Sequence, residues 1–264
     1  MEPTFQRRLL SQAINRPALR PKGNYAMRQV RGIVAHWTAN EARGADARAN
    51  WNYFNQGSPG PRGPQAASAH YIVDDKGVIQ CLPDTEVGFH VGDKPLGKYK
   101  PAGLAMMKGY RGLTPNYFTV GFEMCVNKDG DWNLTYQHSA YLAAELIYMH
   151  GLTINHLYRH FDITGKACPR PMLEQSAWDE FRAVVAQEGR LIESVSYPAV
   201  VAVPPGDVLN VRSGPSATSF NPVLHTLLPG ERVLVYSLTD GWAHIGYGRW
   251  VNAKYLQPVN TPAV

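Results

Sequence analysis

Apolar positions along this chain fall into two regimes. Up to about residue 190, short apolar runs alternate with segments of helical period; beyond about 207 only short alternating stretches remain, cut by glycine and proline. In the first regime, residues 34–37, 70–73, 78–81 and 120–124 are predicted strands. Residues 74–77 form a hairpin turn between the second and third, with Gly77 available for positive φ. A helix is predicted over 46–56, with Asp46 as N-cap, Ala47, Trp51 and Phe54 on one face, and Gly57 closing it. A second helix spans 135–150 and stops at Gly151. Trp178, Phe181 and Val185 mark the stripe of a third, ending at Gly189. Strands mixed with helices indicate an α/β (α+β) domain.

The second regime begins with a segment, 191–207, that has three prolines, few charges and no helical period, and that is expected to be a linker running into a first strand. Stretches 208–212, 231–237, 242–245 and 249–251 then alternate, separated by Gly214–Pro215, Pro229–Gly230 and Asp240–Gly241. This pattern predicts a small all-β barrel. The expected division is therefore 1–190 and 191–264, which agrees with the two domains that 264 residues suggest.

Composition narrows the function. The chain has 26 Lys+Arg against 21 Asp+Glu, a net charge of +5, but only 18% of its residues are charged. It lacks the dense basic stripe of a dedicated nucleic-acid binder. An apolar content of 44% excludes a disordered chain, and no apolar stretch approaches the roughly 18 residues of a membrane span. Residues 1–23 mix arginines with scattered apolar residues and do not form a secretory signal, so synthesis in the cytoplasm is expected. Cys81, Cys125 and Cys168 are odd in number and widely spaced, which argues against a disulfide framework.

Three residues form a candidate set for chemistry. His36 ends an apolar strand, His160 follows a second apolar stretch, and Cys168 lies eight positions later in H-F-D-I-T-G-K-A-C-P-R-P. Two imidazoles and a thiolate satisfy three corners of a zinc tetrahedron and leave the fourth for water. Spacing alone leaves the bland alternative open: a lone histidine on an apolar strand is more often a satisfied core residue, and a lone cysteine a small buried hydrophobe.

The strings I-V-A-H-W-T-A-N, S-A-H-Y-I-V-D-D-K-G-V-I-Q-C-L-P-D, F-H-V-G-D, V-G-F-E-M-C and H-F-D-I-T-G-K-A-C-P occur in this order between about residues 28 and 187. Together they resemble the zinc-dependent N-acetylmuramoyl-L-alanine amidases of the amidase-2 family, which also includes phage endolysins and peptidoglycan recognition proteins. The resemblance implies a central mixed sheet flanked by helices and one catalytic zinc, with His36, His160 and Cys168 as metal ligands. It implies cleavage of the amide between N-acetylmuramic acid and the L-alanine of the stem peptide by zinc-activated water. The matching strand glutamate, Glu123, would be the catalytic acid–base, and Lys166 would stabilise the oxyanion. Another branch uses a tyrosine where this chain has Ala69, so Glu123 takes the role. His90 matches a histidine near the substrate groove, with a hydrogen bond to a metal ligand as the alternative. Trp37 is a candidate for lining the groove, as are Trp51 and Tyr53. His70 is expected to be structural, Asp162 to cap a loop, and Cys81 and Cys125 to be core.

Residues 93–118 are longer than the minimal family pattern. Lys94, Lys98, Lys100, Lys108 and Arg111 make them basic, so they are expected to form either a substrate-contacting loop or a solvated insertion. Beyond residue 196, V-L-N-V-R-S-G-P-S, L-P-G-E-R-V-L-V-Y, G-W-A-H-I and G-R-W-V-N-A-K-Y-L resemble a bacterial SH3-type domain, which implies binding to peptidoglycan. Trp242, Tyr247, Trp250 and Tyr255 are its candidate ligand-facing aromatics. The chain is thus expected to act as a monomer on the cell wall, in the manner of an endolysin. Two rivals share the evidence. A non-catalytic peptidoglycan receptor on the same fold would lack the cysteine ligand, which is retained here. A Cys–His cell-wall peptidase usually places its cysteine before its histidine, whereas Cys168 follows both candidate histidines.

Overall fold

A computed structural model of the chain describes residues 3–56, 58–60, 63–92 and 95–259; Gly57 and Lys94, singled out above, lie outside them. The first unit contains strands β1 (Thr4–Arg7), β2 (Gly32–Trp37), β3 (Ser58–Gly60), β4 (Gly63–Gln65), β5 (Tyr71–Asp74), β6 (Gly77–Gln80), β7 (Thr119–Met124) and β8 (Leu157–Arg159). Its helices are α1 (Ala47–Gln56), α2 (Pro101–Met106), α3 (Trp132–Met149), α4 (His160–Thr164) and α5 (Gln175–Val195). Six strands form one sheet in the order β1-β6-β5-β7-β2-β8, while β3 and β4 pair separately. Only the β5–β6 hairpin is antiparallel within the large sheet.

Period-two alternation divides the side chains of β2 and β7 between two faces. Ile33 and Ala35, with Val120, Phe122 and Met124, meet Ala143, Leu146, Phe181 and Val185 of α3 and α5 in the main core. The opposite face carries Val34 and His36 of β2 and Gly121 and Glu123 of β7. It is covered in two places: α1 packs over Ile72 and Ile79, and the segment around α2 packs Tyr99, Met106 and Met107 against Val34 and Ile163. Strands buried on both faces read as nearly continuous apolar runs, as G-I-V-A-H-W does.

Several expectations need correction. The third helix does not end at Gly189: it continues to Val195 because Ile192 extends the buried stripe one turn-pair beyond Val185. The expected linker is therefore helical to Val195 and becomes a strand at Tyr197. The 93–118 segment is no bare loop, since it contains α2 and single turns at Leu96–Lys98 and Pro115–Tyr117, and buries Met106 and Met107. Strand β1, hidden among the arginines of the N-terminus, was not anticipated. Among the described residues, no helix is long and apolar enough to cross a membrane.

The second unit comprises β9 (Tyr197–Val201), β10 (Leu209–Arg212), β11 (Val223–Leu227), β12 (Arg232–Val235), β13 (Ser237–Thr239), β14 (Trp242–His244), β15 (Trp250–Asn252) and β16 (Leu256–Pro258). They form sheets of order β11-β10-β15-β14-β13 and β12-β9-β16 around Val201, Leu209, Val211, Val233, Val235, Ile245 and Val251. This SH3-like unit is docked on the first. Arg7 of β1 donates to both carboxylate oxygens of Glu231 at 2.9 and 2.8 Å, and also to Gln80. Both charged side chains are almost wholly buried, at 3% and 4% exposure. The hydroxyls of Tyr236 and Tyr247 donate to Glu145 of α3, Arg249 lies 3.8 Å over the Phe5 ring, and Leu234 joins the main core. Tyr247, a candidate ligand-facing aromatic, is thus committed to the junction between the units.

Removing one member of a buried, bidentate pair strands the other charge. Arg7→Ala is expected to lower stability by about 3 kcal/mol, read from urea unfolding. Because the two residues share one interaction, the Arg7→Ala/Glu231→Ala double variant should lose less than the sum of the single losses; additive losses would show that the pair is not coupled.

Candidate metal centre and active site

The central residues are brought together by strand register. β2 lies between β7 and β8, both parallel to it, and His36 is opposite Glu123. On the other side the last registered pair is Ala35 with Arg159, so the next residue, His160, emerges beside His36 as the first residue of α4. This is the carboxyl end of parallel strands, where open sheets of this kind form crevices. Gly165, at φ 78°, ends α4 after little more than one turn. The chain then doubles back, and the Cys168 carbonyl accepts from Phe161 N–H at 2.9 Å. Cys168 is thereby delivered to the two histidines.

The three donors converge. His36 Nδ1 is 3.2 Å from His160 Nδ1 and 3.6 Å from Cys168 Sγ, and the donor atoms of the three residues all lie within 4.8 Å of one another. All three are buried, at 1%, 4% and 2% exposure. Such a set of two imidazoles and one sulfur fits zinc with a position left open. Burial, reinforced by His160 and His90, holds the His36 imidazole well below its ordinary pKa. It is therefore neutral, as a ligand must be. Burial pushes the Cys168 thiol up to about 12, with Glu123 adding to the effect, while the Trp37 backbone N–H and Lys166 pull it back. Without a cation the sulfur is a protonated thiol, the opposite of an activated nucleophile; a bound cation deprotonates it. A Cys–His peptidase would need that thiolate without a cation.

Glu123 is raised from 4.5 to about 8 by burial, with Lys166 opposing. Its Oε2 is buried without a hydrogen-bond partner. Lys166 itself is exposed on the loop before Cys168. Trp37, next after His36, lines a hollow of about 300 Å³ with Trp132 and Thr135 of α3, Val126 and Pro171, and with Glu41, Asn127 and Lys128 among its polar groups. Trp132, Asn127, Lys128 and Glu41 were not singled out in the sequence, because nothing local marks residues that meet only through the fold. His90 is buried behind His36, its Nδ1 3.0 Å from His36 Nε2. His70 is fixed between Gly121 N–H and the Glu86 carbonyl, and Asp162 accepts from the Arg159 backbone and guanidinium. Cys81 and Cys125 are buried. Trp51 packs in the α1 core cluster, whereas Tyr53 is exposed.

The profile of the N-acetylmuramoyl-L-alanine amidase family (amidase-2) matches residues 26–171, more than half of the chain. The chain belongs to this family. A bacterial SH3 domain profile matches residues 207–257. The amidase CwlL of Bacillus licheniformis is 36% identical over 163 residues, 61% of this chain and 40% of that protein. The amidase XlyA of Bacillus subtilis is 29% identical over 221 residues, 79% of this chain and 66% of that protein. The chain thus spans about two fifths of the length of the first of these relatives. Among solved structures, the catalytic domain of XlyA is similar with a TM-score of 0.52 at 31% identity, covering 69% of this chain and 99% of that domain. A solved structure of PlyL, at 22% identity and a TM-score of 0.50, shares the fold. The mixed sheet described above is therefore an amidase-type fold, with an SH3-like unit following it.

The raised Glu123 carboxyl has a consequence for stability. With a pKa near 8 in the folded chain against 4.5 unfolded, the native state holds a proton that the unfolded chain has already released. Native stability therefore falls as pH rises through that interval. Glu123→Gln removes this dependence. In excess chelator the variant is expected to melt with the parent near pH 4.5 and above it at pH 8; equal melting temperatures at both pH values would refute the burial argument.

Proposed function

We propose that this chain is a zinc-dependent N-acetylmuramoyl-L-alanine amidase that cleaves peptidoglycan between the lactyl group of N-acetylmuramic acid and the L-alanine of the stem peptide. The observation that carries the reading is the convergence of His36 Nδ1, His160 Nδ1 and Cys168 Sγ, with Glu123, in register with His36, holding a buried carboxyl oxygen that has no hydrogen-bond partner. Family membership and the relatives named above support it. His36, His160 and Cys168 would hold the metal. When bound, zinc supplies Lewis acidity that polarises the amide carbonyl and acidifies water.

The protein's own groups do the rest. Glu123 accepts the proton of the attacking water and returns it to the alanine nitrogen. The C–N bond breaks, leaving a lactyl carboxyl group and a free amine. A buried carboxyl with a raised pKa binds the abstracted proton well enough to return it to the leaving amine, and a neighbouring cation would lower that pKa so that the group starts ionised. The Lys166 ammonium offsets the charge that develops on the carbonyl oxygen. Trp37 and Trp132 present apolar walls for a sugar ring or stem-peptide segment, and Lys128 lies in the same hollow to meet a carboxylate. The SH3-like unit binds the wall and so raises the local concentration of substrate at the cleft. All of these groups come from one chain, so the proposed working unit is a monomer acting on the cell wall.

The test is mass spectrometry of digested peptidoglycan. Free stem peptides with a new L-alanine amine are expected, lost with chelator and restored by zinc. Glu123→Gln should keep its zinc in a competition titration and lose turnover by roughly 10²–10⁴-fold. Lys166→Ala should lose about 10²-fold. Products cut within the glycan or within the stem peptide, or full turnover by Glu123→Gln, would overturn the proposal.

A further inference from the structure

His36, His90 and His70 stand in a row behind the metal centre, with successive ring centroids 5.2 and 5.6 Å apart and near-perpendicular planes. Their hydrogen bonds can be assigned by counting protons. His90 Nε2 lies 3.2 Å from the Thr119 carbonyl, which only accepts, and 3.2 Å from Thr119 Oγ1. The Thr119 hydroxyl proton is already given to the Pro115 carbonyl at 2.9 Å, so that oxygen too can only accept. His90 Nε2 must therefore carry the proton, and in a neutral, buried ring its Nδ1 is bare. Bare Nδ1 is 3.0 Å from His36 Nε2, which must then be the donor. His36 is left with its proton on Nε2 and its lone pair on Nδ1, the atom that faces His160 and Cys168.

The sheet is built to admit this ring. A Cβ on residue 121 would lie 2.4 Å from His90 Nδ1 and 2.8 Å from its Cγ and Cε1, so only glycine lets the imidazole lie against β7. The His90 backbone is also fixed, since its N–H and that of Val91 both donate to Asn116 Oδ1. His70 closes the row from behind: its Nδ1 accepts from Gly121 N–H, and its Nε2 donates to the Glu86 carbonyl.

We propose that His90 is a positioning residue. Held by Thr119 and seated over Gly121, it selects the tautomer and ring angle of His36 so that Nδ1 is the atom offered to the metal. A neutral imidazole thus does the work that a carboxylate or a carbonyl does behind most metal-binding histidines. The inference rests on the metal reading above, but its substance is the proton arrangement of the protein itself.

Two measurements on the full chain test it. In chelator-treated wild type, nitrogen NMR of His36 should show a protonated Nε2 and a bare Nδ1. In a competition titration, His90→Ala should bind zinc roughly 10- to 100-fold more weakly. His90→Asn, which places an amide oxygen where Nδ1 sits, should recover most of that loss. A merely structural His90 would lower the melting temperature of His90→Ala and leave its zinc affinity at the wild-type value. That result, or a proton found on His36 Nδ1, overturns the inference. If His90→Ala does not fold, His90→Asn and the nitrogen spectrum decide. A wild-type chain that takes up no zinc refutes the metal reading, and the spectrum still decides the tautomer.

Discussion

Strand β2 pairs in parallel with β7 on one side and runs parallel to β8 on the other, and this register dictates what the molecule can do. Parallel neighbours turn registered residues to the same face, so His36 and Glu123 must project together. The end of β8 then places His160 next in line. A slip of one residue by β2 or β7 would turn His36 or Glu123 toward the α3–α5 core, and a slip by β8 would displace His160. From below, Ile33, Ala35, Val120 and Phe122 hold this register by packing against α3 and α5.

What was legible in the sequence divides along the same lines. Apolar periodicity located β2, β5, β6 and β7 to within a residue or two, because each is buried on one or both faces. The N-cap of α1 was readable because Asp46 does accept from Ala49 N–H. The ends of α5 and the nature of 191–195 were not, since a glycine inside a helix looks like a terminus when Ile192 is not yet known to be covered. Strand β1 was hidden because its arginine serves a partner 224 positions away. At the site, the His36, His160 and Cys168 set rested on ordered motifs rather than spacing. The hollow beside Trp37 had no local signal. In V-G-F-E-M-C, Gly121 sits inside a buried strand, where a glycine marks a close approach, here by an imidazole.

The two units are joined by more than a tether. The Arg7–Glu231 pair and the guanidinium over Phe5 engage β1 of the first unit, and the tyrosine hydroxyls on Glu145 engage α3. Polar groups buried together in this way tolerate few alternative arrangements, because any displacement leaves a desolvated charge or hydroxyl unmatched. These buried polar contacts, with Leu234 in the main core, define how the SH3-like unit sits on the first.

Burial of the Cys168 sulfur gives the centre a chemical temperament as well as a shape. Oxidants and alkylating agents attack the anionic form of a cysteine, and burial disfavours that form at Cys168. Its desolvated thiol is therefore slow to react with them, and the fold that seats Cys168 against two imidazoles also keeps it chemically quiet.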